Sequence, residues 1–139
     1  MKIQIVLIAI AVSNLAHSAN AKSIFSENER AVQVVSAYMD EFQKGSSESL
    51  LALLETPFFH DRKKVIDDFA ELRSIIEGLV KEKGGRDLGK VTYKVVTAKS
   101  EIDGQFGRSY IDVIAKVGDE GVLFRVRPRN VYRIVGISD

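Results

Sequence analysis

The sequence predicts an α+β domain in which N-terminal helices pack on one face of a curved antiparallel four-stranded sheet, with a short hairpin between the helices. Two observations predict it. Up to Leu88, apolar residues recur every three or four positions behind recognisable helix caps; beyond Leu88 they alternate with a period of two. Helices gathered ahead of a strand meander bury their apolar stripes by lying together on one side of the sheet.

The elements follow in order. Ser26-Glu27-Asn28-Glu29 has the form of a capping box, and Ala31, Val34, Val35, Tyr38, Met39 and Phe42 form the apolar stripe of the helix it opens. Gly45 can take the left-handed conformation that stops it. Ser46 or Ser47 caps a second, shorter helix buried through Leu50, Leu51, Leu53 and Leu54, and Pro57 drives Thr56 out of the helical region. Pro57-Phe58-Phe59-His60 reads as extended, Asp61-Arg62 as a turn, and Lys63 to Ile66 as the antiparallel return. Asp68 with Glu71 caps the longest helix, marked by Phe69, Leu72, Ile75, Ile76, Leu79 and Val80 and closed by Gly84-Gly85. Strands are expected at Lys90 to Ser100, Phe106 to Val117, Gly121 to Arg129 and Asn130 to Ser138. Asp103-Gly104, Gly118-Asp119-Glu120 and the stretch Pro128 to Asn130 would join them.

Alternation assigns the faces. Val91, Tyr93 and Val95, then Ile111, Val113, Ala115 and Val117, then Val122, Phe124 and Val126 share the side that should meet the helices. Arg108, Tyr110, Asp112, Ile114 and Lys116, with Leu123, Arg125 and Arg127, make an amphiphilic opposite side suited to a second subunit. The last strand turns either Tyr132 and Ile134, or Val131, Arg133, Val135 and Ile137, toward a given face.

Residues 1–21 carry the pattern of an export signal: Lys2, an apolar run from Ile3 to Val12 interrupted by Gln4, and small residues in Ala19-Asn20-Ala21. The mature chain should begin near Lys22 as a single domain over 22–139, periplasmic or secreted. A run of about ten apolar residues falls short of the roughly twenty a spanning helix needs, so no membrane insertion is expected. With 20 Lys and Arg against 19 Asp and Glu, the chain lacks the basic excess that nucleic-acid binding needs. The absence of cysteine excludes a disulfide framework, a thiolate zinc site and a cysteine nucleophile.

Few residues suggest chemistry. His60 is the only histidine outside the export segment, but His60 and Asp61, as strand neighbours, should point to opposite faces, which makes direct pairing awkward. Asp61 fits better as the turn residue. Asp40-Glu41 and Asp67-Asp68 diverge by about 100° on a helix and do not converge on one metal ion. Gly84-Gly85 and Gly118 to Gly121 match no nucleotide-binding spacing. Arg125, Arg127, Arg129 and Arg133 concentrate positive charge that could hold a phosphate, a sulfated sugar or a carboxylate, or could pair across strands with Asp112.

The order of elements resembles the nuclear transport factor 2-like superfamily. The features that carry this are the Pro57-Phe58-Phe59 hairpin, the helix opening at Asp67-Asp68, and the closing run Val131-Tyr132-Arg133-Ile134-Val135-Gly136-Ile137. That cone-shaped, cystatin-like fold includes SnoaL-like polyketide cyclases, ketosteroid isomerases and many exported bacterial proteins of unassigned role. The resemblance implies an apolar pocket between sheet and helices and a homodimer through the outer sheet face, and it leaves catalysis open. Tyr38, Phe42, Phe58 or Phe59, Tyr93, Phe124 and, in one register, Tyr132 would line the cone, with His60 near it. Tyr110, Asp112, Arg125, Arg127 and Arg133 would form the dimer or anion face. Phenols and aliphatics can orient a hydrophobic ligand, but tyrosine titrates near 10 and moves no proton at neutral pH. The expectation is an exported binding or accessory module that encloses a small hydrophobic ligand, with no cofactor, metal or catalytic residue. The competing expectation is an isomerase, dehydratase or cyclase-like enzyme acting on a small hydrophobic substrate. Its acid or base would be His60, or Asp112 should the sheet faces be inverted.

Overall fold

The computed structural model describes residues 26–61, 63–96 and 110–139. The expected export segment, Arg62, Arg108, the turn at Asp103-Gly104 and the strand portions at 97–100 and 106–109 lie outside the described residues. Among the described residues, three helices, α1 (Glu27–Lys44), α2 (Ser47–Leu51) and α3 (Phe69–Lys83), accompany six strands: β1 (Leu54–His60), β2 (Lys64–Ile66), β3 (Val91–Val96), β4 (Ile111–Val117), β5 (Glu120–Arg127) and β6 (Arg133–Ser138). The architecture is α+β, as the change of period predicts.

The caps act largely as the sequence indicates. Ser26 Oγ accepts from the Glu29 amide and Glu29 Oε1 accepts from the Ser26 amide, both at 3.1 Å, which satisfies two of the donors a helix start leaves open. Gly45 closes α1 at φ 78°, a conformation that a side chain would resist. Asp68 caps α3 by accepting from the Ala70 amide at 3.0 Å. Glu71 does not complete a box there, because it is drawn to Lys64 on β2. α3, at 15 residues, is shorter than α1, at 18, contrary to the order expected.

The sheet differs from expectation in number and sense. It has six strands in the order β2-β1-β6-β5-β4-β3, because the hairpin joins the meander as β1 runs parallel to β6. The expected four-stranded antiparallel sheet is thus the β3 to β6 part of a mixed sheet. The short helix also ends sooner. Leu54 pairs with Ile134 and so begins β1, a tertiary contact that overrides the helical spacing of the leucines. Pro57 sits where the β1–β6 register slips between Leu54 and Phe59, a place where a missing amide donor is tolerated.

Register confirms the faces. Tyr93 lies opposite Ala115, Val95 opposite Val113, Val113 opposite Phe124 and Ile111 opposite Val126. All pack with Ala31, Val35 and Tyr38 of α1 and Leu72 and Ile76 of α3 in one core. Burying aliphatic and aromatic side chains of this kind contributes about 1.5–3 kcal/mol each. α1 crosses β3 to β6 while α3 covers the β1–β2 hairpin. On β6 both expected registers are partly right. Val126 faces Ile134 and Arg125 faces Gly136, so Val135 is an extra residue, and Ile134 and Ile137 both turn inward on either side of this bulge.

Candidate functional site

The inner face is organised around Tyr38. Its ring stacks on Phe42, one helical turn away, at 6.2 Å and 10°, and meets Phe124 of β5 edge-on at 5.1 Å and 63°. Helical spacing of four puts Phe42 beside Tyr38, and strand parity brings Phe124 up from below. Tyr38 is 3% exposed, and its hydroxyl has no hydrogen-bond partner among the described residues. Burial pushes its ionisation well above the ordinary tyrosine range, so the group is a neutral phenol with an uncommitted O–H. Tyr93, half-buried on β3, is also raised, chiefly by burial; its hydrogen bond to Ser36 acts against the shift and the nearby Asp40 charge adds to it.

Phe58 is buried on the same face opposite Ile66, beneath the α3 side of the core. Tyr132 also turns inward, with the Arg30 guanidinium 5.3 Å from its ring centre. His60 occupies the inner-face row Lys64–His60–Ile137–Phe124–Val113–Val95, one residue per strand. Its Nε2 lies 3.5 Å from Asp61 Oδ2, with the side chains 37% and 47% exposed. His60 and Asp61 meet, contrary to the strand-parity expectation, because Asp61 adopts φ 52° and leaves the strand geometry that would set the two apart.

The outer face carries a second row, Val96–Asp112–Arg125–Gly136–Phe59–Val65. Arg125 donates from Nε to Asp112 Oδ1 and from Nη2 to Oδ2, each at 3.0 Å. Its guanidinium also lies 5.3 Å from the Tyr110 ring centre, and Tyr110 meets Phe59 edge-on at 6.2 Å. Phe59 therefore belongs outside the cone and Phe58 inside it. Asp112 also faces outward, so it cannot serve as a base within the cone. Arg127 and Arg133 lie together at another position on this face, where Arg127 pairs with Glu55. Glu55 is not evident from the sequence, because the leucine spacing extends the short helix through Leu54. Once β1 starts at Leu54, parity alone would have placed Glu55 on the outer face.

Among the described residues no group of three or more His, Cys, Asp or Glu is placed to hold a metal ion, and no helix is long and apolar enough to cross a membrane. No family model and no curated protein matches the chain. Among solved structures it is similar to a proposed polyketide cyclase from Xanthomonas campestris pv. campestris, at 17% identity and a TM-score of 0.41, over 81% of this chain and 90% of that one. It is also similar to a domain of unknown function with a cystatin-like fold from Nostoc punctiforme, at 12% identity and a TM-score of 0.44, over 81% of this chain and 76% of that one. Neither likeness assigns an activity to this chain.

Proposed function

We propose that this protein is an exported binding or accessory module of the nuclear transport factor 2-like type, whose cone takes a small, mostly hydrophobic molecule bearing one hydrogen-bond acceptor. The observation that carries this reading is the Tyr38 hydroxyl, buried among rings with its donor uncommitted. A phenol held neutral by its surroundings can give a hydrogen bond but does not abstract a proton near pH 7. An acceptor oxygen on an apolar body would meet that donor while its remainder replaces ring contacts. Export and a homodimer through the outer sheet belong to the same reading. Ile114 and Leu123, register partners on that face and partly exposed, support the dimer.

The test is mass spectrometry of small molecules released on denaturing protein recovered after secretion. An apolar compound with an acceptor oxygen, retained by the wild type and lost from Tyr38→Phe, supports the reading; equal retention by both overturns the role of Tyr38. The intact mass should correspond to residues 22–139, and light scattering should report a dimer that Leu123→Glu dissociates.

A second reading rests on His60, which stands in the Phe124 row with the Asp61 carboxylate beside it. In that reading the protein is an isomerase, dehydratase or cyclase-like enzyme with His60 as acid or base. Turnover of a released ligand that disappears in His60→Gln, with binding intact, would favour it over the module.

A further inference from the structure

Three arginines converge on one carboxylate where β5 ends and β6 begins. Arg127 and Arg133 are direct register partners on the outer face, an arrangement in which like charges repel. Glu55 comes to the same end of the sheet because the residue before it, Leu54, pairs with Ile134, the residue after Arg133. Arg127 Nη1 binds Glu55 Oε2, and Arg127, Arg129 and Arg133 all act to hold the Glu55 carboxyl below the ordinary range. Among the described residues, Glu55 is the one carboxylate ion-paired with any of the three. The cluster thus keeps an excess of positive charge.

Its central member is also incompletely bonded. The Arg127 side chain is 7% exposed, and its Nε is buried with no hydrogen-bond partner among the described residues. Arg125, two residues earlier on the same strand and face, shows what a completed fork looks like, with Nε and Nη2 both on Asp112. Leaving a buried charged donor unpaired is costly, and a guanidinium matches an acceptor with two oxygens in one plane. Glu55 takes Nη1, on the side of the guanidinium away from the Nε hydrogen, and so leaves the Nε edge without its fork; its own side chain is 36% exposed.

We propose that Arg127, Arg129 and Arg133 form a binding site for an oxyanion, the carboxylate or phosphate group of a solute or partner molecule, with Glu55 as its built-in counter-charge. The incoming group takes the Nε and Nη2 hydrogens of Arg127, the same edge that Arg125 offers Asp112, competes with Glu55 for the charge of the cluster, and places its remaining charge between Arg129 and Arg133. This site lies on the outer sheet face and is independent of what the cone holds.

The test is titration of the folded full-length mature chain with inorganic phosphate and, separately, with succinate, ionic strength being held constant with chloride. Binding is read by calorimetry and by the rise in melting temperature. Saturable binding of phosphate alone identifies a tetrahedral ligand group, of succinate alone a carboxylate, and either supports the site. Glu55→Gln removes the competing charge and should tighten binding about tenfold. Arg129→Ala and Arg133→Ala should each weaken it by a similar factor. No saturable binding of either anion by wild type and Glu55→Gln, or Glu55→Gln binding no tighter than wild type, overturns the proposal. Should Glu55→Gln fail to fold, an Arg129→Ala Arg133→Ala double variant that binds as well as wild type overturns it equally.

Discussion

Arg125 and Asp112 face each other directly across β5 and β4 and are joined by two parallel hydrogen bonds of 3.0 Å. Their side chains are 13% and 10% exposed, so this pair is shielded from the solvent that makes most surface ion pairs nearly worthless. Losing one partner of a buried pair typically costs about 3–5 kcal/mol because the other charge stays desolvated. Asp112→Ala should therefore lower the unfolding free energy by roughly 3 kcal/mol, the low end because the pair is not fully enclosed. Urea titrations of both single variants and the Asp112→Ala Arg125→Ala double variant check this. Strictly additive losses would mean that the two residues do not act as a pair.

Gly136 lies between Arg125 and Phe59 in the same row, and its importance is spatial. A Cβ built there would stand 3.1 Å from the Arg125 Cβ and 3.3 Å from both the Phe59 Cβ and its carbonyl oxygen. All three of these atoms are fixed by the backbone and cannot move aside as a side-chain tip would. Gly136→Ala should cost about 1–3 kcal/mol through overcrowding, visible as a lower urea midpoint with an unchanged slope. A neutral result would show that β6 shifts freely against β1 and β5.

The sequence and the fold agree at most helix ends and on the inner sheet face, where local chemistry decides. Ser26 with Glu29, Gly45 and Asp68 announce helix ends because the orphan groups of a helix need partners close in the chain. Val113 and Phe124 reveal the inner face because strand parity is rigid. The disagreements arise where distant pairing decides. Leu54 leaves a helical pattern because Ile134, eighty residues later, offers a strand edge. The Val135 bulge lets Ile134 and Ile137 both face inward, which no period-two reading allows. At the candidate sites, Tyr38, Phe42 and Phe124 were legible from periodicity, whereas Glu55 and the His60–Asp61 contact depended on a strand boundary and on one left-handed residue.

Glu55 should be detectable by acid. The Arg127 hydrogen bond first, then the charges of Arg127, Arg129 and Arg133, hold its carboxyl below the ordinary 4.5, against the opposing effect of burial. A depressed carboxyl contributes stability that is whole above its unfolded value and is lost as pH falls through its folded value. Solvent screening at a side chain 36% exposed keeps that contribution to about 1 kcal/mol or less. Wild type should thus exceed Glu55→Gln in stability at pH 6, and the gap should close as pH falls below 4.5 and as salt is added. A gap that persists unchanged at pH 3 would show that Glu55 acts through packing and not through its charge.

Tyr38 should show itself at the other end of the pH scale. Its ionisation is raised by burial, and that of Tyr93 is raised too, chiefly by burial and against its hydrogen bond to Ser36. In the unfolded chain both phenols release their protons near 10, while the folded protein keeps them. The unfolded state therefore binds fewer protons above that point. Stability is whole below pH 10 and falls as pH rises toward the folded values, at up to about 1.4 kcal/mol per pH unit for each tyrosine. Tyr38→Phe removes one of the two contributions, so its stability should decline less steeply between pH 9 and pH 11 in urea titrations. At pH 7 the same substitution deletes an unpartnered buried hydroxyl and leaves the stacking on Phe42 and Phe124 intact. Unpaired buried groups cost about 1–3 kcal/mol, so Tyr38→Phe is expected to be neutral or stabilising in ligand-free protein. A clear destabilisation at pH 7 would mean that the hydroxyl already holds a bound water or ligand, and the alkaline slope would then tell whether that occupant is lost as the phenol ionises.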